Sequence, residues 1–356
     1  MKMRLFLCTM AFMLCLYITA QPRQWRQFPD TLAMVHDPVM AFEGDTTYLF
    51  ATGINLQRMA SVDRVHWTVQ REGVLDTIPA WTHDSVPGFR NHIWAPDVME
   101  WHGQWWLTYS CSTFGKNTSA IGLMSAPRLS KHHWTDLGCL LSSRQHRDEY
   151  NAIDPNLIVD EHDCPWLVFG SFWDGIQLIP LQLVSRKDII KTGTIADSML
   201  AMKEGSHPVT IARRYDVKRQ PKTENPTSRY AGVNAIEAPF LFYHAGYYYL
   251  FASWDYCCRG AQSTYRVVVG RSRQVRGPYL DREGKSMTSG GGTSVISGDG
   301  KQWEAAGHCA VYHIPHTDRD LFICHGYSIP YEGMSLLIQR EITWADGWPC
   351  IANDMK

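Results

Sequence analysis

No Cys-x-x-Cys pair occurs among the ten cysteines of this 356-residue chain, which removes the zinc-ribbon and dithiol redox classes at the outset. Charge of one sign is lacking as well. Against 34 Lys and Arg stand 35 Asp and Glu, a net charge of −1, so no strong field recruits nucleic acid or an anionic membrane, and the expected partner is neutral. Helical periodicity is almost missing. Beyond residue 20 no apolar run approaches the ~20 residues of a spanning helix. The one such run, Leu5 to Leu16, is short, follows Lys2 and Arg4, and ends in Ile18-Thr19-Ala20 before Gln21. That is the pattern of an export signal cleaved after Ala20. The expectation is a secreted or periplasmic protein with no membrane span, residues 1–20 being the signal peptide and 21–356 a single domain. Cys15 lacks the small preceding residue of a lipid-attachment site, which favours free release. Eight cysteines then remain, expected as buried free thiols, since adjacent Cys257 and Cys258 could bridge each other only with strain.

What is present is strand signal. Short runs of aromatic and β-branched residues, bounded by Gly, Asp, Asn and Pro, recur throughout. A repeated unit emerges: a polar or Pro-containing entry, an apolar strand, a turn, then a strand rich in Tyr, Trp and Phe. Five copies begin at Asp37-Pro38, Trp94-Ala95-Pro96, Asp154-Pro155, Glu237-Ala238-Pro239 and Gly307-His308-Cys309. Units of this size suit four-stranded blades, and five of them imply an all-β, five-bladed β-propeller with its active site in the central cleft. The polar stretch from Arg213 to Tyr230 reads as a long surface loop, either a solvated insertion or a wall of the cleft. The 14 tryptophans permit stacking on sugar rings, although core packing uses the same residues.

The innermost strand of each blade lines the channel, so residues at the starts of different units converge. Asp37, Asp154 and Glu237 open three of the units. Any one alone could be a turn residue or an ion-pair partner. Three in register around one axis supply what glycosidic cleavage requires: an acid for the departing oxygen, a base or nucleophile, and a third charge that can raise the acid's pKa. Pattern alone leaves open which residue takes which part.

The motifs resemble the family 43 glycoside hydrolases, and within them the secreted endo-α-1,5-L-arabinanases. The resemblance rests on His36-Asp37-Pro38, Trp94-Ala95-Pro96-Asp97-Val98, Ser112-Thr113-Phe114-Gly115, Asn151-Ala152-Ile153-Asp154-Pro155-Asn156, Gly170-Ser171-Phe172-Trp173-Asp174-Gly175, Ile236-Glu237-Ala238-Pro239 and Asp255-Tyr256-Cys257-Cys258-Arg259-Gly260. It implies an inverting hydrolase of internal α-1,5 links in arabinan, acting as a monomer, with Asp37 as general base, Glu237 as general acid and Asp154 tuning the acid's pKa. Inversion implies base and acid ~6.5–9.5 Å apart. Gly115, Asn151, Ala152, Ile153, Ser171, Phe172 and Trp173 would contact sugar. His308 would stand beside a largely water-coordinated calcium ion, an implication of the resemblance alone because calcium prefers oxygen ligands. Ala305-Ala306-Gly307-His308 departs from the family's Gly-Pro-Gly-His-like turn. An exo-acting arabinanase, another pentose-specific glycosidase, or a non-catalytic sugar-binding propeller are the alternatives, and retention of all three carboxylates argues against the last.

Overall fold

Antiparallel hairpins dominate the described part of the chain in a computed structural model, which describes residues 29–70, 73–131, 134–185, 198–215 and 234–351. The expected signal segment 1–20 lies outside the described residues, and so does 216–233, most of the expected long loop. The loop's first residues are not loose. Arg213 makes a forked ion pair with Asp174, its Nη2 2.9 Å from Oδ1, and Arg214 lies over the Trp254 ring 3.9 Å from its centroid.

The strands run β1 (Val39–Glu43), β2 (Thr46–Ala51), β3 (Gly53–Ile54), β4 (Gln57–Ser61) and β5 (Thr68–Val69), then β6 (His92–Trp101), β7 (Gln104–Cys111), β8 (Ser119–Ala126) and β9 (Thr135–Ser143). There follow β10 (Asn156–Val159), β11 (Pro165–Phe169), β12 (Ile176–Ser185), β13 (Ser198–Met202) and β14 (Val209–Ala212), and β15 (Ile236–His244), β16 (Tyr247–Trp254), β17 (Arg266–Ser272) and β18 (Thr293–Ile296). The last four are β19 (Trp303–His313), β20 (Asp320–Ser328), β21 (Met334–Ala345) and β22 (Trp348–Ile351). They form five sheets in the orders β1-β2-β4-β5, β3-β6-β7-β8-β9, β10-β11-β12-β13 with β14 also on β12, β15-β16-β17-β18 and β19-β20-β21-β22. This is the expected five-bladed propeller, and each of the five unit starts falls at or in the first long strand of one blade. Turn chemistry sets the hairpin register. His102-Gly103, Ala245-Gly246 and Asp346-Gly347 form two-residue loops with φ of 55° and 70°, 47° and 81°, and 54° and 70°, the paired positive values of a type I′ turn. Between blades the filling is apolar. Phe50, Leu107, Tyr109, Phe251 and Phe322 are sealed from water, each such burial stabilising by about 1.5–3 kcal/mol.

One feature of the ring positions the cleft. At each blade entrance a single residue takes a left-handed conformation: Asp37 (φ 53°), Ala95 (41°), Asp154 (55°), Ala238 (52°) and His308 (52°). Four of them precede a proline. Each N–H then points at the preceding blade. Ala95 donates to Thr52 Oγ1 at 2.8 Å, Asp154 to Ser110 Oγ at 3.0 Å, His308 to Ser253 Oγ at 2.9 Å and Asp37 to His325 Nδ1 at 3.1 Å. Thr52, Ser110, Ser253 and His325 hold one equivalent place on or just past the second strand. In the third blade that place is Gly170, where φ of 125° and a backbone carbonyl 2.5 Å from any added Cβ exclude a side chain. Ala238 N–H therefore donates to Asp154 Oδ2 instead, at 3.1 Å. The ring closes where residues before β1 join β21: Val35 N–H reaches Ser335 O at 3.2 Å and Leu337 N–H reaches Ala33 O at 2.9 Å.

Candidate active site

The ring corrects one expectation. Asp37 and Asp154 share the left-handed position, but Glu237 stands one residue earlier, in the place held by His36, Trp94, Ile153 and Gly307 in the other blades. The three carboxylates still meet, because a one-residue step at a bulged entrance turns Glu237 into the channel. All three line one cleft of about 800 Å³ and are only 8 % exposed.

Asp37 sits among donors. Its Oδ1 is 2.8 Å from His36 Nδ1 and 2.9 Å from His308 Nδ1, and its Oδ2 accepts the Thr52 hydroxyl at 2.5 Å. Burial alone would raise Asp37, but the two imidazoles outweigh it and hold the carboxyl well below its usual range. Burial likewise works against charged His36 and His308, and Asp37 overrides it, raising both. His325 is different. Its Nδ1 accepts the Asp37 N–H, so the ring is neutral and its 3.7 Å approach to Asp37 Oδ1 is not an ion pair; burial first, then His36, push its pKa well down.

Across the cleft the logic reverses. Burial raises Glu237, which accepts the Ser171 hydroxyl at 2.7 Å and a second hydrogen bond from Tyr265. Burial raises Asp154 well above the carboxylate range, and the nearby charges of Glu237 and Asp37 push the same way against His308. Two buried carboxyls that each resist ionisation favour holding a proton between them. The site thus sets a carboxyl whose pKa is lowered opposite two whose pKa values are raised.

The other expected contacts divide. Gly115, Asn151, Ile153, Ser171, Phe172 and Trp173 line the cleft with the carboxylates. Ala152 does not: it is fully buried in the apolar core, where its N–H donates to Ser143 Oγ at 2.9 Å. The Ser171 hydroxyl serves Glu237, Asn151 Oδ1 accepts from Ser119 Oγ at 2.6 Å, and the Asn151 carbonyl accepts from Ile153 N–H at 2.9 Å, which leaves the Asn151 side-chain amide nitrogen for a ligand. Thr52, Tyr265, His325 and Tyr327 are site residues that sequence reading missed. Ala305 and Ala306, where the turn departs, are fully buried, and Gly307 is kept where a Cβ would lie 2.0 Å from the Tyr265 ring. Gly307→Ala is expected to lower stability by about 1–3 kcal/mol, as overpacking does. A urea midpoint unchanged from the parent would refute this close fit.

Calcium wants six to eight oxygens. His308 offers nitrogen only and its Nδ1 faces Asp37; among the described residues, no set of three His, Cys, Asp or Glu ligand atoms within 4.8 Å of one another includes it. The side chains of these four types do not gather around His308 into a calcium cage. The cysteines are free thiols as expected, but only Cys111, Cys309 and Cys324 are buried; Cys139, Cys164 and Cys258 are exposed.

A propeller whose channel holds these opposed carboxylates is a glycoside hydrolase. The chain belongs to glycosyl hydrolases family 43, which it matches over residues 31–349. It is 38% identical over 320 residues to an extracellular exo-α-(1→5)-L-arabinofuranosidase of Cellvibrio japonicus, spanning 88% of this chain and 85% of that protein. It is 36% identical over 338 residues to an extracellular endo-α-(1→5)-L-arabinanase of Bacillus subtilis, spanning 94% and 93%. The crystal structure of an exo-1,5-α-L-arabinanase from a bovine ruminal metagenomic library superposes with a TM-score of 0.79 at 44% identity, covering 92% of this chain and 99% of that one.

Proposed function

We propose that the protein is an inverting endo-1,5-α-L-arabinanase. One observation carries the mechanism: Asp37 lies within 2.9 Å of both His36 and His308, which lower its pKa, in the same cleft where burial raises those of Glu237 and Asp154. Asp37 acts as general base on a water, which attacks the anomeric carbon. Glu237, oriented by Ser171, protonates the departing oxygen. Asp154 raises the acid's pKa and, through its bond to Ala238 N–H, fixes the backbone next to Glu237. Gly115, Ile153, Phe172 and Trp173 supply the sugar contacts. His308 belongs to this scheme as Asp37's partner; a calcium ion beside it would be held mainly by water, and no step runs through it. The names of the Cellvibrio and Bacillus relatives support arabinan as substrate and an extracellular location, consistent with the export signal read in residues 1–20. We take the protein to act as a monomer.

Exo-action is the second reading, favoured by the names of two of the three relatives. Linear debranched α-1,5-arabinan decides. A fast fall in viscosity with mixed oligosaccharides, whose first-formed anomer is inverted by proton NMR, is the expected result. A single short product from the start would establish exo-action, and a retained anomer would remove Asp37 from the role of base.

A further inference from the structure

Beside Asp37 the cleft wall carries two thiols that the hydrolytic scheme does not use, next to the outer nitrogen of His36. A ring nitrogen of His36, Cys257 Sγ and Cys258 Sγ lie within 4.8 Å of one another, with Cys258 Sγ 3.8 Å from His36 Nε2. All three residues line the cleft. We propose that they form a binding site for a thiophilic divalent cation of the Zn²⁺ class, and that its occupation inhibits the enzyme.

Geometry supports the assignment. A tetrahedral ion with Zn–S of ~2.3 Å and Zn–N of ~2.0 Å places sulfur and nitrogen about 3.5 Å apart, and two sulfurs about 3.8 Å apart. The observed 3.8 Å needs a shift of only a few tenths of an ångström, and the neighbouring thiols already exchange a hydrogen bond. His36 also has the partner that metal-bound histidines use: its Nδ1 is 2.8 Å from the Asp37 carboxylate, which fixes the ring with Nε2 outward. Nε2 now meets the Tyr327 hydroxyl at 3.0 Å, and that hydroxyl keeps a second partner, the Cys258 N–H at 2.7 Å, when the ion takes its place. Left-handed Cys258, φ 63°, allows adjacent residues to aim both sulfurs at one point. Three protein ligands leave a fourth position open to the cleft, where water completes the shell. On binding, Zn–S and Zn–N bonds form and the displaced thiol and imidazole protons pass to solvent. The ion fills part of the sugar path, and its charge, one imidazole away, lowers the proton affinity of Asp37.

The binding claim stands on its own; the inhibitory claim rests on the arabinanase reading. In the full chain, kept reduced with a phosphine, Co²⁺ should bind at one equivalent and give thiolate-to-cobalt charge-transfer absorption, displaced by Zn²⁺. Cys258→Ser should abolish the band and weaken Zn²⁺ at least about 100-fold, because loss even of outer partners costs about 10–100-fold. Absence of the band in the folded, reduced parent overturns the site whatever the variant does, and a band unchanged in Cys258→Ser and Cys257→Ser overturns these ligands. Stoichiometric Zn²⁺ should stop arabinan cleavage and a chelator restore it; binding without inhibition overturns the inhibitory role. A protein that shows the band but never cleaves arabinan would count against the arabinanase reading alone.

Discussion

Glu237→Ala is expected to lower kcat on linear arabinan by about 10²–10⁴-fold, the range supplied by a positioned general acid. The departing group is a sugar alkoxide, which leaves poorly without a proton. An aryl arabinofuranoside with an acidic phenol needs little such help, so the same variant should lose far less on it. Equal losses on both substrates would show that Glu237 does something other than protonate. The parent's pH profile has a matching feature. Glu237 must carry its proton to act, and burial raises its pKa above the ordinary ~4.3. The rate therefore falls only as pH rises through that raised value, and this alkaline limb should vanish in Glu237→Ala.

Asp37→Asn should cost as much, about 10²–10⁴-fold, but equally on both substrates, because activation of water does not depend on the leaving group. Here the sign is opposite. Asp37 must be ionised, and its partners hold its pKa well below the carboxylate range, so the parent's acid limb lies below ~3.9. The substitution also has a readout apart from catalysis. His36 and His308 are raised by the Asp37 charge against burial. Without it burial keeps its downward pull and the strongest upward one is gone, leaving only Cys258 to raise His36 and Asp154 to raise His308, so both imidazoles should titrate lower than in the parent, followed by proton–nitrogen NMR. Histidine titrations that do not move would mean that the carboxylate is not ionised between them.

The fold was legible because its signal is local and repeated: five entries, each followed by an apolar strand and an aromatic one, land on five blades. The carboxylates were legible for the same reason. Their register was not, because Glu237 and Asp154 look alike as unit openings, and only the pairing of Glu237 with Ser253, against that of Ile153 with Gly170, shows the one-residue step. Thr52, Ser110, Ser253 and His325 escaped notice since one task, accepting an N–H from the next blade, is done by three residue types, and in the third blade by Asp154 from another position. Aligning Phe50-Ala51-Thr52 with Phe251-Ala252-Ser253 and Ile323-Cys324-His325 would have exposed them. Ala152 was misjudged because a loop that lines a cleft also has an inward face.

The seam of the ring has a consequence in time. Asp37 is set by a bond from its own N–H to His325, nearly three hundred residues later, and the segment before it is pinned to β21. Glu237, Ser171 and Asp154 need only the middle blades. A chain emerging from the ribosome can thus assemble its acid well before its base, and the base waits for the two ends to meet, the kind of distant contact that slows folding. Joining the first blade to the last is also the step that switches the catalyst on.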